Sequence, residues 1–274
     1  MTTRLSLSNA IDNAALTTTG TFEAALPLLN LKSKLLSKVA RTTSPASLSI
    51  TATWGLSKSI GVVMLCNHNL SLTATVRIAV GADDSGDLAV FPVVAAGNAF
   101  VTDSTQRKDL VYWLPDNVYS DTTVITITDT ANSDGYVQIG RLFVGTSFSP
   151  AMGVEYGKAQ IGYKSLSEIQ TLPNGVKYGY ERMPIRTVTL NLTALTENEA
   201  FITLFNSIRQ NDQLGEVVYS HNGSPTYVTF SSKKALYQDD FSRSFMGTIT
   251  QTNPLDLVNF NNVDASLTLE EVAL

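Results

Sequence analysis

Apolar and polar positions alternate with a period of two through much of the chain. Leu48, Ile50 and Ala52 interleave with Ser49, Thr51 and Thr53, which turns one face inward, as in a half-buried strand. Ile60–Cys66 is a continuous apolar run of strand length. After the polar corner Asn67-His68-Asn69, a second alternating strand places Val76, Ile78 and Val80 on one face. Ile125 and Ile127 repeat the pattern. Between Gly135 and Gly145 the apolar set moves from odd positions (Val137, Ile139) to even ones (Leu142, Val144), which predicts a bulge near Gly140. These strands predict a β-sandwich.

Residues 1–38 show short apolar pieces around Leu5, Ile11 and Leu26–Leu29 without a steady period, and are expected to form an N-terminal arm. The Pro and Gly content of 147–157 marks a junction. The expected domains are thus a sandwich over 39–148 and a second β domain over 149–274. In the second, Val188, Leu190 and Leu192 alternate inward. Thr196-Glu197-Asn198-Glu199 reads as a capping box. Phe201, Leu204, Phe205 and Ile208 then form one helical stripe, which predicts a helix over 197–210 lying against a sheet. Asn222-Gly223 between Val217–Tyr219 and Tyr227–Phe230 predicts a tight hairpin, and 244–250 and 266–272 two closing strands. The fold class expected is mainly β: a jelly-roll sandwich, then a sandwich or barrel with one flanking helix.

Composition narrows the function. A chain of 274 residues with 43% hydrophobic and 16% charged residues can bury a large core, and a net charge of −5 argues against nucleic acid as a partner. The single cysteine, Cys66, excludes an intrachain disulfide. The most apolar run, Ile60–Cys66, falls well short of the roughly 20 residues that cross a bilayer, so membrane insertion is not expected. Asn9, Asp12 and Asn13 interrupt any secretory apolar core, which leads us to expect synthesis in the cytoplasm.

No catalytic, cofactor or metal set emerges. His68 and His221 lack metal-ligand spacing; His68 reads as a corner residue bonding backbone and His221 as solvent-exposed. Cys66 reads as a buried thiol. The carboxylate pairs Asp83-Asp84, Asp239-Asp240 and Glu270-Glu271 place neighbours on opposite faces of a strand, which is unlike an acid/base pair. Asp83, Ser85 and Asp87, and separately Asp129, Asn132 and Asp134, offer oxygen atoms in turns without calcium-loop spacing. Trp54, Tyr112, Trp113 and Tyr119 read as core or interface residues, with sugar stacking as the alternative. Catalytic, cofactor and metal residues are expected to be none, and ligand-binding residues are unassigned.

The wording of 36–148, above all NHNLS-x-x-A-T-V-R-I and GYVQIGRLFVG, resembles a family of tail-tip proteins of long-tailed bacteriophages whose first domain looks like a galactose-binding-type jelly roll. RMPIRTVTLNLTALTENEAFITLF through HNGSPTYVTF to ITQTNPLDL is similar in order of elements to the distal-tail and tail-tube β domain. The resemblance implies a virion structural protein of the tail tip or baseplate: a homo-oligomeric ring, six copies by analogy, joining the tail tube to baseplate hub and fibre proteins. It implies no enzyme activity and no cofactor. Where related jelly rolls carry Asp-Leu-Gly, this chain has Trp54-Gly55-Leu56, which weakens sugar binding by analogy. The alternative function is a carbohydrate-binding adhesion module on the host surface. A third, a polysaccharide hydrolase, needs two carboxylates across a cleft.

Overall fold

The structure, a computed structural model, describes residues 3–45, 47–71, 74–89, 109–152, 159–180, 182, 184–211, 215–221, 227–230, 233–236, 244–252, 256–259 and 262–272. The fold is mainly β with sandwich-like sheets. The chain divides into two compact units. Unit 1 holds residues 1–149, 218–245 and 274, and unit 2 holds 150–217 and 246–273.

Unit 1 is organised by two strands of 19 residues, Leu48–Cys66 and Leu110–Thr128, paired antiparallel. Register shifts between Thr53 and Lys58 and between Ile60 and Val62 divide the pairing into three stretches. Arg141–Gly145 pairs with Leu48–Cys66, and Thr75–Val80 with Leu110–Thr128. Beyond Thr75–Val80 the sheet continues through Leu88–Ala89, Lys233–Leu236 and Tyr227–Phe230. The alternating positions supply the core: Ile50, Val63, Leu65, Val76, Ile78, Ile125 and Ile127 are all buried in one cluster. Val62, Met64, Trp113 and Phe143 point the other way by alternation, yet they are buried too, so this end of the sheet is covered on both faces. A two-sided burial of this kind explains why Ile60–Cys66 reads as a continuous apolar run.

Residues 1–38 correct the expectation of an arm, because they are part of unit 1. Leu5, Ile11 and Leu31 are fully buried. Ala15–Thr18 pairs with Leu48–Cys66, and Leu5 exchanges two backbone hydrogen bonds with Phe148. Asn9 accepts from the Val144 amide and donates to the Leu142 carbonyl. Arg141, whose side chain is wholly buried, reaches the Asp12 carboxylate at 2.8 Å. Short strands and single helical turns plug the sheet here, and such pieces have no repeating period to read.

Gly140 is where a strand changes partner. Gln138–Ile139 pairs with Ala40–Arg41, Arg141–Gly145 with Leu48–Cys66, and the Gly140 amide donates to the carbonyls of Cys66 and Asn67. A Cβ there would sit 2.7 Å from the Leu36 carbonyl oxygen. The shift of the apolar set from odd to even positions records this change of partner. The expected second domain also needs correction: 218–245 returns to unit 1. The Asn222-Gly223 turn and Asp239-Asp240 lie outside the described residues.

In unit 2 the described strands run in the order Gln160–Lys164, Ile185–Leu195, Asn262–Glu271, Ser244–Thr252, with Asp256–Asn259 also pairing Asn262–Glu271. Val188, Leu190, Leu192, Leu267 and Leu269 form the buried side. Arg186 grips Glu271 through its Nε (2.9 Å), a terminal nitrogen (2.5 Å) and its own backbone amide (3.0 Å). A two-pronged pair of this geometry fixes the register of the two strands.

The capping box forms: Glu199 accepts from the Thr196 amide and hydroxyl, and the Glu199 amide donates back to that hydroxyl. Burial opposes the charge of Glu199, but the amides of Thr196 and Ala151 and the Thr196 hydroxyl outweigh it and hold the carboxyl below its usual range. The helix itself differs from expectation. Asn198–Phe205 winds as a π-helix and only Asn206–Asn211 as an α-helix. Wider winding takes more residues per turn and breaks up a stripe spaced for an α-helix. Leu204 and Ala200 are buried, while Phe201, Ile202 and Phe205 stay exposed.

Candidate functional site

The residues singled out in the sequence are mostly structural. His68 is buried, and its Nδ1 accepts the Leu70 amide at 3.2 Å. His221 is half-buried rather than exposed, with its Nδ1 3.2 Å from the Tyr219 hydroxyl. Burial pushes the Tyr219 phenol up, so it stays protonated. Cys66 is fully buried. Glu270 pairs with Lys164 and Glu271 with Arg186, so the two carboxylates serve different partners.

Asp129, Asn132 and Asp134 are occupied in holding a corner. Asp129 accepts from the Ser71 amide, the Ser71 hydroxyl and the Asn132 side-chain amide. Asn132 also donates to the Asn69 carbonyl, and Asn69 bonds Asp134, Tyr136 and Gln138. Their oxygens fasten 67–71 to 129–138. Among the described residues no group of three His, Cys, Asp or Glu side chains could hold a metal ion. No described helix is long and apolar enough to cross a membrane.

The aromatic set does not make a platform in unit 1. Trp54 is buried, and its indole donates to the Ala10 carbonyl at 2.8 Å. Tyr112 and Trp113 are buried as well, and Tyr119 alone is exposed. Tyr112 does wall a cavity of about 170 Å³ whose apolar floor is Ile78, Val80 and Leu114. Asp83, Asp84, Ser85 and Pro115 complete the lining. Ser85 accepts the Ile78 amide and donates to the Gly86 carbonyl. The hydrogen bond from the Arg77 guanidinium, then that from the Gly86 amide, hold the Asp84 carboxyl at about 2, against an ordinary 3.8. Asp84 is therefore a fixed anion balanced by Arg77, which leaves Asp83 as the uncommitted carboxylate of the lining. The lining joins an apolar side, Ile78, Val80 and Leu114, to a polar side of Asp83, Asp84 and Ser85.

Unit 2 presents a surface that the sequence reading did not single out. Glu168–Thr171 and Lys177–Tyr180 form a hairpin, and every described side chain from Glu168 to Tyr180 is exposed. Tyr178 and Tyr180 lie on one face, opposite Gln170 and Glu168. The Tyr178 hydroxyl donates to Gln170 at 2.8 Å. Gly175 closes the turn at φ +82, a value that favours glycine, and the Asn174 side chain caps it from Val176. Pro173-Asn174-Gly175 is the sequence signal that marks it. Just before the hairpin, Gln160–Lys164 ends the sheet, and among the described residues no strand pairs with its outer side. Ile161 and Tyr163 on that edge are exposed, Tyr163 to 75%.

No protein-family model and no curated protein sequence matches the chain. Solved structures similar to it include a His 62 mutant of the lectin binding domain of Lectinolysin complexed with Lewis b, at 12% identity and TM-score 0.36, covering 52% of this chain and 95% of that one. A family 32 CBM from C. perfringens NanJ in complex with galactose is similar at 10% identity and TM-score 0.36, covering 52% and 98%. A chitosan-binding module from a Paenibacillus sp. IK-5 chitosanase/glucanase matches at 11% identity and TM-score 0.36, covering 50% and 98%. Likenesses this distant carry no argument about ligand or activity. The tail-tip resemblance stands on the sequence alone.

Proposed function

We propose that the chain is a non-catalytic structural subunit that assembles with copies of itself, in the tail tip or baseplate of a bacteriophage virion as the sequence resemblance implies. One observation supports the assembly reading: in unit 2 a hairpin with every described side chain exposed follows directly on a sheet edge whose outer side pairs with no strand among the described residues. A two-stranded hairpin is at best marginally stable alone in water, and an open edge with exposed Ile161 and Tyr163 is a template for another chain. Closure into a ring satisfies such edges. Electron microscopy of the purified protein and of intact tails tests this: rings, and the protein located in tails, are expected. A protein that stays monomeric and is absent from tails contradicts it.

A second reading has its own observation. The cavity of unit 1, with an apolar floor, the Tyr112 wall and the Asp83 carboxylate, supports a carbohydrate-binding role on the host surface. Calorimetric titration with galactose, chitosan oligosaccharides and Lewis-type glycans is the test. Binding abolished by Asp83→Ala at unchanged melting temperature supports it; no heat with any of them removes it.

A further inference from the structure

We infer that the hairpin of unit 2 is exchanged between copies: Glu168–Thr171 of one copy pairs antiparallel with Gln160–Lys164 of another, Lys164 opposite Glu168 and Ile161 opposite Thr171. The inference rests on the self-assembly reading above and names the surface that performs it.

The chain itself indicates the register. Only Ser165, Leu166 and Ser167 separate the edge strand from the hairpin. A three-residue loop is a normal hairpin connection, so the same chain could close on itself with Lys164 facing Glu168. In the structure it does not. The hairpin forms a separate two-stranded sheet, and its base is closed by Ser167, whose hydroxyl accepts from the Arg182 amide at 2.9 Å and donates to the Arg182 carbonyl. Edge and hairpin thus keep mutually fitting outer sides, which a second copy can satisfy by the pairing that the short loop encodes. Exchange of an identical element between protomers is a low-cost route to assembly for this reason.

Charge selects which hairpin strand docks. The edge ends in a cation, Lys164; Glu168–Thr171 brings an anion to meet it, whereas Lys177–Tyr180 would bring Lys177. Lys164 now binds Glu270, and Glu168 lies 3.8 Å from Arg182, both at exposed positions that can be shared or re-paired. The donor surface and the acceptor surface are different parts of the molecule. Pairing of this kind closes either reciprocally between two copies or head to tail around a ring.

The test is a disulfide across the named register in the full chain. Ile161→Cys and Thr171→Cys are introduced together; the native Cys66 is fully buried and does not compete. The two new thiols face each other only if the register is right. After mild oxidation, covalent dimers and larger species on a non-reducing gel are expected, together with loss of multimers when 168–180 is replaced by a short Gly-Ser link. Multimers that form without the disulfide overturn this pairing and leave the self-assembly reading standing. A disulfide confined within single chains means that the hairpin closes on its own edge and overturns the exchange. A double variant and parent that both stay monomeric at high concentration overturn the exchange and the assembly reading together.

Discussion

Among the described residues, unit 1 gathers a large continuous buried core, and unit 2 leaves a whole hairpin exposed. In unit 1 the central sheet is buried on both faces at one end, a charged side chain deep inside is matched by Asp12, and the N-terminal residues fill what would otherwise be open. In unit 2, among the described residues, no strand pairs with the outer side of Gln160–Lys164, the side chains of the hairpin are exposed, and half of the helical stripe faces outward. The two units have the same β chemistry and differ in how much surface they leave unsatisfied.

Substitutions can break that contrast. The largest effect is expected at Asp12. Asp12→Ala takes the carboxylate from the buried Arg141 guanidinium; because the Asp12 side chain is itself 39% exposed, the expected cost by urea unfolding is about 1.5–3 kcal/mol. A cost below about 1 kcal/mol would mean the N-terminal residues are a loosely held arm after all. Next comes Gly61→Ala, whose Cβ would fall 2.0 Å from the Asn117 side-chain oxygen and 2.7 Å from the Ser147 amide nitrogen. Overpacking of this kind costs about 1–3 kcal/mol, and no loss of melting temperature would show that the contact gives way freely.

The Asp84–Arg77 pair comes lower. Because its folded carboxyl sits at about 2, below the ordinary 3.8, its contribution is present above pH 3.8 and is lost as pH falls toward 2. Both partners are well exposed and screened by solvent, so the effect is small. Asp84→Asn should flatten the acid limb of the stability profile slightly, and an unchanged limb would contradict it. Smallest of all is Tyr180→Ala on the hairpin, where 79% exposure implies a change within about 0.5 kcal/mol for the isolated chain. A large destabilisation there would place the hairpin inside a core and erase the difference between the units.

The sequence showed most plainly what has a period. The alternation at Leu48, Ile50, Val76, Ile78, Ile125 and Ile127 placed the core of unit 1, and Thr196 with Glu199 placed a helix start. Residues 1–38 were opaque because Leu5, Ile11 and Leu31 reach the core from separate short pieces. The return of 218–245 to unit 1 and the π winding of Asn198–Phe205 depend on tertiary packing, which leaves no local mark. Of the surfaces that bear on function, Asp83 and Tyr112 were in view as residues but not as one cavity. The hairpin's turn was legible at Pro173-Asn174-Gly175, yet its exposure is a property of what does not pack on it.

Sedimentation of the full chain over a wide concentration range, beside a variant with 168–180 replaced by a short link, tests the central claim most directly. A multimer for the parent, and a folded monomer of unchanged melting temperature for the variant, is the predicted result. Identical monomeric sedimentation of both at every concentration would contradict it.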